Sequence, residues 1–150
     1  MIDISELEGR ELDVAVAEAK GAIVKPDIYS GDLVMASGQD IFDASMKGGY
    51  WQWNGEKQSG KVTFCFPLPK WHGDFTAAGE LMEDALATIP HCAWALESFN
   101  LTNGEVWWDA TFWGVVDDDD NILDWNGKSQ SLPTAISRAY LKAKESRDGH

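Results

Sequence analysis

The sequence predicts an α+β fold, a small antiparallel β-sheet packed with about three helices in an α-β-α sandwich-like, single-domain arrangement. Three observations carry that expectation. Glu105 to Val116, EVWWDATFWGVV, alternates strictly: Val106, Trp108, Ala110, Phe112, Gly114 and Val116 fall on one face and Trp107, Asp109, Thr111, Trp113 and Val115 on the other. Three separate stretches repeat apolar residues at helical spacing, each beside a start or stop signal. The remaining short apolar runs are separated by turn-forming residues, which suits hairpins.

The first helix is expected from Ser5, where Ser5-Glu6-Leu7-Glu8 has the spacing of a capping box. Leu12, Ala15, Val16 and Ala19 form its apolar stripe and Gly21 its terminator, while Glu6, Glu8, Glu11 and Asp13 read as a solvated acidic face near the positive end of the helix dipole. From Ala22 to Gly60 glycines punctuate short apolar groups. Ile41, Phe42, Ala44 and Met46 suggest a turn or two of helix, and Tyr50 to Trp53 followed by Asn54-Gly55 suggests a strand entering a type I′ turn, with Lys61 to Phe66 returning.

Asp74 is placed to cap a second helix reaching about Thr88, with Ala78, Leu81, Met82, Ala85 and Ile89 on its inner face and Pro90 as its stop. His91 to Ser98 is the next strand, and the turn-forming Asn100 to Gly104 joins it antiparallel to the long one. Asp117 to Asn121 turns the chain into a short strand, Ile122 to Trp125. Pro133 then suits the first turn of a last helix striped by Ala135, Ile136, Ala139, Tyr140 and Ala143, with Lys142, Lys144 and Arg147 near its C-terminal dipole.

A chain of 150 residues is one domain by size and buries roughly two-thirds of its unfolded surface on folding. The 12 Lys+Arg against 25 Asp+Glu give a net charge of -13, which repels phosphate backbones; direct nucleic-acid binding is not expected and a partner with a basic surface is. Two cysteines, no run of apolar residues long enough to span a bilayer, and charges throughout MIDISELEGRELD, where a secretory leader needs its apolar stretch, predict a cytoplasmic protein with no membrane contact. Asn100-Leu-Thr is then a coincidence of turn composition rather than a glycosylation site.

Two separated stretches and the opening helix are similar to a known family. Leu68 to Ala85, LPKWHGDFTAAGELMEDA, resembles the P-x-Y-S-T-D-I-A-A-A-W-E-V-V-E-K-M segment of the phage ABA sandwich domain proteins, with Asp74, Ala77, Ala78, Glu80 and Glu83 at matching places. Ser131 to Ala143, SLPTAISRAYLKA, resembles the family's closing helix through Pro133, Ala135, Ile136, Arg138, Ala139, Leu141 and Lys142, and Arg10 to Glu18 resembles its first helix. The resemblance implies helices on a small antiparallel sheet and a phage or prophage accessory protein acting in the host cell; it implies no reaction. Gly79 stands where the family often has Trp and Ser137 where it often has Cys, and the stretch at about 22–70 is an atypical insert.

No catalytic residue, metal site or cofactor is assigned. Cys65, His72, His91 and Cys92 lack local ligand spacing, and Asp117, Asp119 and Asn121 begin a calcium-loop pattern that Ile122 and Lys128 break. An enzyme would have to rely on unsignposted carboxylates such as Asp109, Asp118 or Asp124. The residues expected to bind a partner protein are Tyr50, Trp51 and Trp53 of the insert, with Trp107, Asp109, Thr111 and Trp113 on the non-core face of the long strand; Trp71 belongs to the same aromatic set, at least half of which serves the core. Two other readings compete with non-enzymatic protein binding. One is an acidic mimic of nucleic acid directed at a host defence complex, and the other a pocket for a nucleotide or similar planar ligand stacked on tryptophan. The oligomeric state is left open.

Overall fold

The computed structural model describes residues 3–26, 32–37, 50–53, 62–115 and 122–148. Helix α1 (Gly9–Ala19), strands β1 (Ile23–Pro26), β2 (Leu33–Ser37), β3 (Tyr50–Trp53) and β4 (Val62–Pro67), helix α2 (Phe75–Thr88), strands β5 (Ala93–Asn100), β6 (Val106–Val115) and β7 (Ile122–Ser129), and helix α3 (Leu132–Asp148) follow in order. The class is α+β, with three α-helices and antiparallel strands among the described residues. The strands divide between two sheets, β1-β2-β4-β3 and β5-β6-β7, rather than joining in one. No helix among the described residues is long and apolar enough to cross a membrane.

Local chemistry sets the helix ends. Asp3, not Ser5, caps the chain's start: its carboxylate accepts from Ser5 N at 3.0 Å over a 3₁₀ turn, Ile4–Glu6. The expected capping box does not form, because α1 begins only at Gly9 and no side chain bonds at its Glu8 cap. At the far end Gly21, with φ +87°, lets Gly21 N donate to Glu18 O and Ala22 N to Ala17 O, a paired closure that needs the left-handed conformation. Asp74 caps α2 by accepting from Thr76 N at 2.8 Å.

Helix α3 is the hub of the core. It packs against α1, α2, β6 and β7, and Pro133 to Leu141 are buried without interruption. Gly127 of β7 makes its close approach possible, since a methyl group there would lie 2.1 Å from Ala135 O and 2.7 Å from Ala139 N. Around α3 gather Leu12 and Val16 of α1, Leu81 and Ala85 of α2, and Phe112 of β6, whose ring stacks on Trp94 at 4.1 Å and tilts against Trp125 at 5.1 Å. Trp71 joins this core from the segment before α2. Trp108, expected in the core with Phe112, is only partly buried, between Ser98 and Ser129 where β7 ends.

Several expectations are revised. The insert carries β1 to β4, so much of its length is a four-stranded sheet joined to α1 through β1. Its hairpin pairs Tyr50↔Cys65 and Trp53↔Val62; the connection 54–61, with the turn expected at Asn54-Gly55, lies outside the described residues. So do the helical turn expected at Ile41 to Met46 and the acidic turn Asp117 to Asn121. Strand β7 runs on to Ser129, pairing Asn126 with Thr111 and Lys128 with Asp109. Asp13, read as part of a solvated face, is 0% exposed.

That buried carboxylate is a rivet. It accepts from Arg10 Nη1 at 2.9 Å and from His72 N at 3.0 Å, and His72 Nδ1 lies 2.7 Å from its Oδ2. Arg10 also donates to Leu68 O and Pro69 O, while Thr134 and Ser137 of α3 donate to His72 O and Trp71 O. One buried group with both oxygens hydrogen-bonded thus ties α1 to the segment that leads into α2, and α3 holds the same segment from the other side.

Candidate functional site

The alternation of β6 produces the candidate surface. Trp108, Ala110, Phe112 and Gly114 point toward the helices, so Trp107, Asp109, Thr111 and Trp113 share the opposite, outer face. Register brings further side chains to it: Phe99 beside Trp107, Glu97 beside Asp109, Ala95 beside Thr111 and Ala93 beside Trp113 from β5, with Lys128, Asn126 and Asp124 from β7. Trp113 is 36% exposed, and Trp107, Asp109 and Thr111 are half-buried.

The centre of this face is cross-linked. Thr111 Oγ1 donates to Asp109 Oδ1 at 3.0 Å, and Asn126 Nδ2 donates both to Thr111 Oγ1 at 2.6 Å and to Asp109 Oδ1. Trp107 Nε1 donates to Glu105 Oε2 at 3.1 Å, which restrains the indole. Glu97 stands directly opposite Asp109 across the β5-β6 pair, an arrangement that repels, with Lys128 on the other flank of Asp109. A fixed polar centre between aromatic ends can present rigid anchors at low entropic cost.

The other expected residues stand apart. Tyr50, Trp51 and Trp53 lie on β3, at the edge of the other sheet, so the structure does not gather the seven residues into one site. Of the soft-ligand set, His72 is bound to Asp13, and among the described residues no group of three or more His, Cys, Asp or Glu could hold a metal ion. The calcium-loop pattern lies outside the described residues. Burial raises the pKa of the Cys92 thiol.

Sequence reasoning missed the surroundings of the β7 edge. There Arg138 Nε donates to Leu7 O at 2.9 Å and its Nη1 to Lys128 O at 2.6 Å, while Lys142 Nζ donates to Asn126 O at 2.7 Å. Two α3 cations thereby cover outward carbonyls of an edge strand, one way in which such edges are protected from pairing. Beside them opens a cleft of about 560 Å³, lined by Trp107, Lys128, Arg138 and Lys142 with Glu6 of the first turn and Glu8 at the start of α1. Burial lowers the Arg138 pKa and the nearby Glu8 opposes that shift. The only sequence signal was an arginine inside an otherwise apolar helical stripe.

Compared with known protein families and with curated proteins, the chain matches none.

Proposed function

We propose that this chain is a non-catalytic protein-binding domain whose contact surface is the outer face of the β5-β6-β7 sheet. The observation that carries the reading is the composition of that face. Aromatic Trp107, Phe99 and Trp113 stand at its two ends around the hydrogen-bonded Asp109, Thr111 and Asn126, and Glu97 is held opposite Asp109. Facing like charges cost stability, and a partner's lysine or arginine entering between them would turn that repulsion into attraction. Tryptophan anchors bordered by acids suit a basic protein surface. Tyr50, Trp51 and Trp53 stand apart from this face, on β3 of the other sheet. The similarity to phage ABA sandwich proteins makes a cytoplasmic host protein the first partner class to test.

The test is saturable capture from bacterial host lysate followed by affinity measurement on Trp113→Ala and Glu97→Lys, both at exposed positions. The reading requires a partner whose binding weakens in both variants; no saturable partner, or one indifferent to both, contradicts it. The facing carboxylates also favour a second reading, a nucleic-acid mimic that occupies a groove built for phosphates. That version requires DNA or RNA to compete with the chain for its partner and binding to fall steeply with salt.

A further inference from the structure

We infer that the cleft at the β7 edge is a binding site for a small planar aromatic anion, a ligand class separate from the partner protein proposed above. Arg138 is 9% exposed, and no carboxylate lies within 4.0 Å of its nitrogens among the described residues. Buried charges are ordinarily paired. This one has no carboxylate in direct contact among the described residues, in a chain with 25 Asp+Glu, and Glu8 acts on it only from beyond that distance.

The guanidinium is nevertheless fixed. Its Nε and Nη1 bonds to the carbonyls of Leu7 and Lys128 lock the plane, and Nη2 has no hydrogen-bond partner among the described residues. Lys142 is held in the same way by Asn126 O, and Lys128 lines the cleft beside them, neither in an ion pair among the described residues. Three cations line one cleft, none in an ion pair among the described residues and with Glu8 offsetting only part of the Arg138 charge, which makes a preorganised seat for one carboxylate or phosphate group. The net charge of -13 does not forbid this, because repulsion from distant acids is screened beyond about 8 Å at physiological salt.

The other walls restrict the ligand. Trp107 lines the cleft with its indole restrained by Glu105, which offers a surface for a ring to stack on. Glu6 and Glu8 line it too and repel additional negative charge, so a single anionic group is favoured over a polyphosphate. The volume of about 560 Å³ lies within the range of small-molecule sites.

The experiment is isothermal titration of the full chain with three probes: indole-3-acetate, adenosine monophosphate and benzylamine. At least one of the two anions is expected to bind with a sub-millimolar Kd, and benzylamine is not. Which anion binds distinguishes a carboxylate from a phosphate ligand. Trp107→Ala and Lys128→Gln, neither of which removes a contact to the buried core, should each weaken binding roughly tenfold or more. Trp113→Ala, at the far end of β6, should leave it unchanged, which keeps this outcome separate from that of the partner-binding surface. Absence of binding by both anions, or equal affinity in the wild type and in both cleft variants, overturns the inference.

Discussion

Replacing Gly127 with alanine tests the account of how α3 is seated. The new methyl group would lie 2.1 Å from Ala135 O, 2.7 Å from Ala139 N and 3.0 Å from Arg138 Cβ, well inside the 3.4 Å at which ordinary contact begins. Two of those atoms are helix backbone, which no rotamer change can move. Relief requires α3 to lift from β7, and lifting strains the bonds from Lys142 to Asn126 O and from Arg138 to Lys128 O on either side of the substitution. Overpacking costs about 1 to 3 kcal/mol, and contact with backbone puts this case at the upper end. At about 2 to 4 °C per kcal/mol for a chain of this size, the melting temperature should fall by roughly 6 to 12 °C. Gly79→Ala is the matched control: it lies inside α2 with nothing within 4 Å of the added atom. It should stabilise by about 0.5 to 1 kcal/mol, because alanine loses less backbone entropy than glycine in a helix. Urea denaturation followed by circular dichroism measures both. A Gly127→Ala variant within 1 kcal/mol of the wild type would refute the close approach of α3 and β7.

Further outcomes follow from the same packing. Asp13→Asn should destabilise by about 3 kcal/mol, since it removes a buried charge that holds Arg10 and His72, and thermal melts would show it. Phe112→Ala should cost about 3 to 5 kcal/mol, whereas Trp113→Ala on the other face should cost under about 1 kcal/mol; equal losses would mean that the two faces of β6 are misassigned. Trp94→Phe should be nearly neutral, within about 1 kcal/mol, because it removes a buried indole N–H that has no hydrogen-bond partner among the described residues and retains a ring to stack on Phe112. Because burial raises the Cys92 pKa, less of its thiol is ionised at a given pH, and alkylation at pH 8 should run slower in the folded chain than in urea.

Much of the fold was legible because local signals and burial agreed. Asp74 and Pro90 bracket α2, its stripe from Ala78 to Ile89 faces the core, and the alternation of β6 separates its two faces from Ala110 to Trp113, whereas Val106 of the expected core face is 47% exposed and Val115 of the other face is buried. The failures occur where a polar residue serves the interior. Asp13 looked solvated because only the tertiary approach of His72 and Arg10 gives a buried carboxylate its partners. Arg138 interrupts an apolar pattern, and its role depends on carbonyls of Leu7 and Lys128 that sequence spacing does not bring together. Asn126-Gly127 has the composition of a turn, yet it lies inside β7, where the glycine is needed for contact with α3. The outer-face half of the candidate surface could be read from a period of two; its separation from Tyr50, Trp51 and Trp53 could not, because strand order is not written in local pattern.

The central claim, that the outer face of the β5-β6-β7 sheet is a protein-binding surface, is tested most directly by quantitative capture from host lysate with three matched baits. These are the wild type, a Trp113→Ala/Glu97→Lys double variant, and Phe75→Ala, which truncates an exposed aromatic on α2. With all three melting alike, the account predicts one saturable partner shared by the wild type and the Phe75 variant and lost from the double variant. Equal capture of that partner by all three baits, or loss from the Phe75 variant alone, would contradict it.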